Sequence, residues 1–95
     1  MSIVITFDVS AKQGHGEQLV GLFQDSLTDT RNFEGCIKVD LHIEKDSAVS
    51  VFMIEEWATQ QAYEKYLSWR GNRGDMQKLM ELIDGDPVKR FFDQI

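Results

Sequence analysis

Hydrophobic and polar positions change places every second residue from Ile3 to Val9, with Ile3, Ile5, Phe7 and Val9 on one face and Val4, Thr6 and Asp8 on the other. A period of two marks a strand, so the first strand is expected near residues 3 to 9. After a turn-rich stretch from Ser10 to Gly16 the spacing changes to three and four. Leu19, Leu22, Phe23, Ser26, Leu27 and Thr30 then share one side of a helix that should end near Asn32, with Gly35 marking the return. Ile37, Val39, Leu41 and Ile43 alternate with Lys38, Asp40, His42 and Glu44, which predicts a second strand near 36 to 44. Residues 49 to 57 read as a third. Its middle, Val51-Phe52-Met53-Ile54, is apolar on both faces and so asks for cover on both sides of the sheet.

Thr59 offers an N-cap oxygen to a helix through Ala62, Tyr63, Tyr66, Leu67 and Trp69. Gly71-Asn72-Arg73-Gly74 breaks it. Asp75 is expected to cap a short helix with Met76, Leu79, Met80 and Leu82 or Ile83 as its apolar stripe, closed by Gly85 and Pro87. A last strand follows near 88 to 94. The order β-α-β-β-α-(α)-β, without linker or repeat, is the split βαβ plan of ferredoxin-like folds: an α+β domain over residues 1–95 with one antiparallel sheet and helices on one face. Val4, Phe52 and Ile54 would then line a bare face, which predicts a homodimer.

Composition narrows the function. A 95-residue chain of 10.9 kDa holds one core, so any site lies on one fold or between copies of it. A net charge of -6 and a pI near 4.7 argue against nucleic acid or an anionic membrane surface as partners. The longest apolar run, Val51 to Ile54, is far too short to span a bilayer. The strand pattern starts at once and Cys36 is the only cysteine; both fit a cytoplasmic protein. Paired CxxC, HExxH, GxSxG and P-loop patterns are lacking, so neither metal nor bound cofactor is expected. Gly14-His15-Gly16 carries Leu19 where a dinucleotide fingerprint needs its third glycine.

Among the candidate site residues, Tyr66, Trp69 and Arg70 stand at i, i+3 and i+4, with Tyr63 one turn before them. Arginine beside aromatic rings suits a flat anionic molecule, through stacking and paired hydrogen bonds. The competing reading is a helix packed on the sheet with its arginines reaching outward. Phe52 and Trp57 join Tyr63, Trp69 and Arg70 as candidate substrate-binding residues. Glu55 shares a strand face with Trp57 amid apolar residues and so calls for a cation, for which Arg31 is the candidate in a structural ion pair. His42, between Asp40 and Glu44, has the chemistry of a general base, although strand alternation alone also accounts for it as a solvated edge residue.

Thr30-Arg31 stands shortly before Gly35-Cys36, Glu55 and Trp57 close the third strand, and Ala62 follows five residues on. Tyr66-Leu67-Ser68-Trp69-Arg70, Gly74 and Phe91-Phe92-Asp93 complete the series. In this order the residues resemble the antibiotic biosynthesis monooxygenase domain, a family of small dimeric α+β barrels. Many members have histidine where this chain has Tyr66, and haem-degrading relatives need that histidine and an asparagine in the first strand; residues 3 to 9 contain none. The resemblance therefore implies a cofactor-independent monooxygenase, in which the carbanion of a small aromatic or quinol-type substrate itself reduces O2. On that implication Tyr66 or His42 accepts the proton, Trp69 stacks and Arg70 holds the enolate. Two alternatives stand beside it: a non-catalytic or regulatory dimer binding a small anionic ligand, and an isomerase of the muconolactone type. A barrel filled by its own Phe52, Tyr63 and Trp69 would favour the regulatory reading.

Overall fold

Seven elements follow one another as β1 (Ile3–Ser10), α1 (Gly16–Asn32), β2 (Cys36–Ile43), β3 (Ser50–Trp57), α2 (Gln60–Asn72), α3 (Asp75–Leu82) and β4 (Val88–Asp93). The structure, a computed structural model, describes residues 2–47 and 50–95, so the expected start of the third strand at Val49 lies outside the described residues. The strands form one antiparallel sheet in the order β2-β3-β1-β4, the α+β ferredoxin-like arrangement anticipated from the element order.

Register decides which side chains meet the helices. Ile3, Ile5, Phe7 and Val9 lie opposite Trp57, Glu55, Met53 and Val51, and this set forms the helix-covered face. On the other side Asp8 pairs with Phe52 and Thr6 with Ile54. β4 adds Lys89 and Phe91 to the covered face, because they sit beside Phe7 and Ile5, while Val88, Arg90 and Phe92 join the open one.

The buried residues fall into two clusters. One gathers Phe7, Val9, Leu19, Phe23, Val51, Leu79 and Ile83 beneath α1 and α3; the other gathers Ile5, Trp57 and Tyr63 beneath α2. Thr59 caps α2 as expected, its hydroxyl accepting from the Ala62 N–H at 3.1 Å. Asp75 does not cap α3. Gly74 holds that position at φ +82°, and the Asp75 carboxylate is drawn to arginine instead. Gly35, at φ +94°, brings the α1–β2 turn against α2 so closely that a Cβ there would collide with the Ala62 methyl. That contact fixes where α2 starts, and hence where its aromatic face lands.

Phe52, Ile54 and Phe92 remain 37–38% exposed on the open face, an apolar surface with no cover within one chain. Among the described residues no helix is long and apolar enough to cross a membrane.

Candidate functional site

Where the two core clusters part, a cavity of about 280 Å³ opens between the sheet and all three helices. Phe7, Met53, Glu55 and Lys89 form its floor, and Phe23, Tyr63, Tyr66, Arg70 and Leu79 are among its helical walls. Two kinds of polar group line it, and their hydrogen bonding separates them.

The first kind is fully occupied. Arg70, 6% exposed, donates from Nε to the Tyr66 hydroxyl at 2.9 Å and from Nη1 to Asp75 Oδ2 at 3.0 Å. Its Nη2 donates to the Ser26 carbonyl at 2.9 Å and to Thr30 Oγ1 at 3.1 Å. Thr30 gives its own proton to the Ser26 carbonyl, so at the 2.7 Å contact with Tyr66 the tyrosine must be the donor. Burial pushes the Arg70 pKa down, but the bonds to Tyr66 and Asp75 outweigh it and leave it raised. Burial likewise raises Tyr66, although Thr30 and Arg70 oppose it. With its proton on Thr30 and its lone pair taken by Arg70, Tyr66 is a strut between α1 and α2 and is poorly placed to accept a proton from a substrate.

The second kind has oxygens to spare. Glu55 is 4% exposed, and its Oε1 accepts from the Trp57 indole N–H at 3.1 Å. Its other oxygen has no partner among the described residues. Tyr63 is 2% exposed, and its hydroxyl makes no hydrogen bond among them either. Since no sealed side-chain oxygen or nitrogen among the described residues lacks a partner, both atoms keep access to the cavity that their residues line. Burial raises the Glu55 pKa, with Trp57, Lys89 and Arg70 opposing, and burial with the Glu55 charge raises Tyr63 far above a free phenol.

Several expected residues lie elsewhere. His42 is on the open face of edge strand β2, its ring 6.4 Å from that of Phe52, so neither can reach a ligand in the cavity. Trp57 is wholly buried behind Glu55 and orients it without lining the cavity. Trp69 sits outside, between the guanidinium carbons of Arg70 and Arg73 at 4.8 and 4.7 Å from its ring centre. Arg31 does not pair with Glu55: its guanidinium donates to the Val39 carbonyl of edge strand β2 at 2.9 Å instead. Of the three side chains that would fill the barrel, only Tyr63 reaches the cavity.

Lys89 was missed in the sequence. Its ammonium lies 5.4 Å from the Phe7 ring centre and 5.0 Å from that of Tyr63, with burial lowering its pKa against the pull of Glu55.

The model of the family described as antibiotic biosynthesis monooxygenase matches residues 2–71. The chain belongs to this family. α3 and β4, which carry Asp75 and Lys89, lie outside the residues of this antibiotic biosynthesis monooxygenase domain that match. Among solved structures the fold is similar to that of a conserved protein from Methanosarcina mazei Go1, at TM-score 0.89 and 17% identity over 100% of this chain and 94% of that one. It is also similar to SnoaB, a cofactor-independent oxygenase from Streptomyces nogalater, at TM-score 0.84 and 16% identity over 99% and 93% of the two chains. Comparison with the curated proteins returned no match.

Two measurements follow from the two kinds of polar group. Arg70→Ala strips a buried cation from four acceptors and should lower unfolding free energy by about 3 kcal/mol, read from urea denaturation. Glu55 gives a pH dependence whose sign follows from its raised pKa. Below its ordinary value of 4.5 both folded and unfolded chains hold the proton; above it the unfolded carboxyl ionises first, so the folded state loses stability as pH rises. Glu55→Gln should remove this slope, gaining on the wild type in denaturation curves as pH rises above 4.5.

Proposed function

We propose that the cavity is the active site of a cofactor-independent oxygenase acting on a small aromatic quinol, with Glu55 as the base and the Tyr63 hydroxyl as the hydrogen-bond donor to the oxyanion. The observation that carries this reading is the pair of almost wholly buried side chains whose spare oxygens open on one cavity. Family membership and the likeness in fold to a cofactor-independent oxygenase support it. A cavity of about 280 Å³ suits one or two fused rings, given that about 150 Å³ accepts benzene.

On a dihydroxynaphthalene the chemistry balances without another reactant. Glu55 accepts a hydroxyl proton, helped by a carboxylate held in apolar surroundings that raise its basicity. Tyr63 donates to the oxygen left negative, and the electron-rich ring passes electrons to O2. One oxygen atom enters the ring carbon and the other leaves as water with two substrate hydrogens, giving a hydroxynaphthoquinone. Phe7, Met53 and Leu79 give the occupant's ring an apolar surface to lie against.

The reading includes a homodimer joined through the open sheet faces, supported by the apolar Phe52, Ile54 and Phe92 there. Light scattering should return twice the 10.9 kDa chain mass at micromolar concentration, and Ile54→Lys should return the single chain.

Oxygen uptake with hydroquinones, dihydroxynaphthalenes and anthrones tests the activity. One- and two-ring quinols should be consumed, and Glu55→Gln and Tyr63→Phe should each lower kcat about a hundredfold. His42→Ala should leave it unchanged. Equal rates for wild type and Glu55→Gln on every compound would reject the assignment.

A further inference from the structure

Six lysines occur in the chain, and Lys89 differs from the rest in place and company. Lys12, Lys38, Lys45, Lys65 and Lys78 are exposed, Lys78 bordering the cavity as well, whereas Lys89 is half-buried and lies on the cavity floor. Among the described residues no carboxylate or carbonyl accepts from its nitrogen. Its nearest company is the Phe7 ring from β1 and the Tyr63 ring from α2. Glu55, from β3, lines the same cavity but is not within ion-pair distance. The one other cation facing them that is buried, Arg70, is committed to four acceptors.

We infer that Lys89 is a nucleophile that captures small aldehydes or ketones in this cavity as imines, with Glu55 and Tyr63 moving the protons. The amine lone pair adds to the carbonyl carbon as the C=O π bond breaks, and the carbonyl oxygen takes a proton, for which the Tyr63 hydroxyl is the donor in reach. Glu55 then removes a proton from nitrogen and returns it to the departing hydroxyl. Water leaves as the C=N bond forms, and the proton still on the iminium nitrogen returns to the Tyr63 oxygen, so amine and carbonyl compound become imine and water with both side chains restored and no change in oxidation state. Three features favour this chemistry. An amine drawn into apolar surroundings loses its proton more readily than an exposed one, as the lowered pKa of Lys89 reflects. A carboxyl whose pKa is raised by burial holds a proton more firmly than an exposed one and so can return it as well as take it. The cavity has the size of a one- or two-ring compound.

This capture consumes no oxygen, so it stands or falls apart from the oxygenase reading although both use the same cavity. The test is anaerobic incubation of the full chain with benzaldehyde and sodium cyanoborohydride at neutral pH, followed by intact mass and peptide mapping. Lys89 should gain the benzyl adduct several-fold faster than any other lysine, because the cavity holds the aldehyde beside it and burial leaves more of its amine unprotonated. Lys89→Arg should abolish this fast adduct while thermal unfolding shows the fold retained. Glu55→Gln should slow it at least several-fold. Labelling spread evenly over the lysines, labelling confined to the α-amino group, or an adduct rate at Lys89 indifferent to Glu55→Gln would each overturn the proposal. Loss of oxygen uptake in Lys89→Arg has no bearing on it.

Discussion

The guanidinium of Arg70 is the joint on which the helical layer depends. It sits on α2, reaches the Ser26 carbonyl and Thr30 hydroxyl of α1, and ends on Asp75 at the start of α3. Three helices that cross a sheet need something to fix their spacing, because apolar packing alone tolerates sliding. Four directed hydrogen bonds from one rigid planar group do not. Their geometry spreads the helices enough for the core to part into two clusters, and the cavity is the space between them. A purely apolar junction of equal volume would bring those clusters together and close it.

The same joint explains why neighbouring tyrosines differ. Tyr63 and Tyr66 are one turn apart and both lie over Trp57, with ring centres at 5.6 and 5.0 Å from it. Tyr66 points toward α1 and is consumed by Thr30 and Arg70; Tyr63 points toward β4 and meets Phe91 and Lys89. A difference of three residues on one helix thus separates a structural hydroxyl from a free one.

The alternating strands and the capped helix were legible because each is a local property: Ile3 to Val9 alternate whatever they pair with, and Thr59 caps its own helix. The cavity was legible only as far as local spacing carried it. Glu55 and Trp57 had to share a face, and they do, with the indole bonded to the carboxylate. What surrounds that carboxylate depends on strand order. With β3 inside the sheet, Glu55 has Ile5 and Val39 beside it, and its cations come from α2 and β4 rather than from Arg31. Lys89 was hidden for a related reason. Both faces of β4 mix charged and apolar residues, and only its pairing with Phe7 shows which one turns inward. Asp75 looked like a cap because an aspartate beside a glycine break usually is one, and its attraction to a distant arginine is invisible to local rules.

The contrast between the two polar groups bears on whether the cavity is a site or a packing fault. A fault would leave partners missing at random, and apolar gaps would be as common as polar ones. Here the arginine network next to the cavity is saturated to within one N–H, which shows that this sequence satisfies buried polar atoms where structure alone is at stake. The carboxylate oxygen of Glu55, the hydroxyl of Tyr63 and the ammonium of Lys89 are left over together, from three different elements, on one wall system. Phenylalanine at position 63 would pack against Trp57 and Phe91 equally well, and leucine or methionine at 55 would match Met53 on the same face. An acceptor, a donor and a cation facing one cavity floored in part by Phe7 and Met53 are complementary to an occupant with an acidic hydrogen and a polar oxygen.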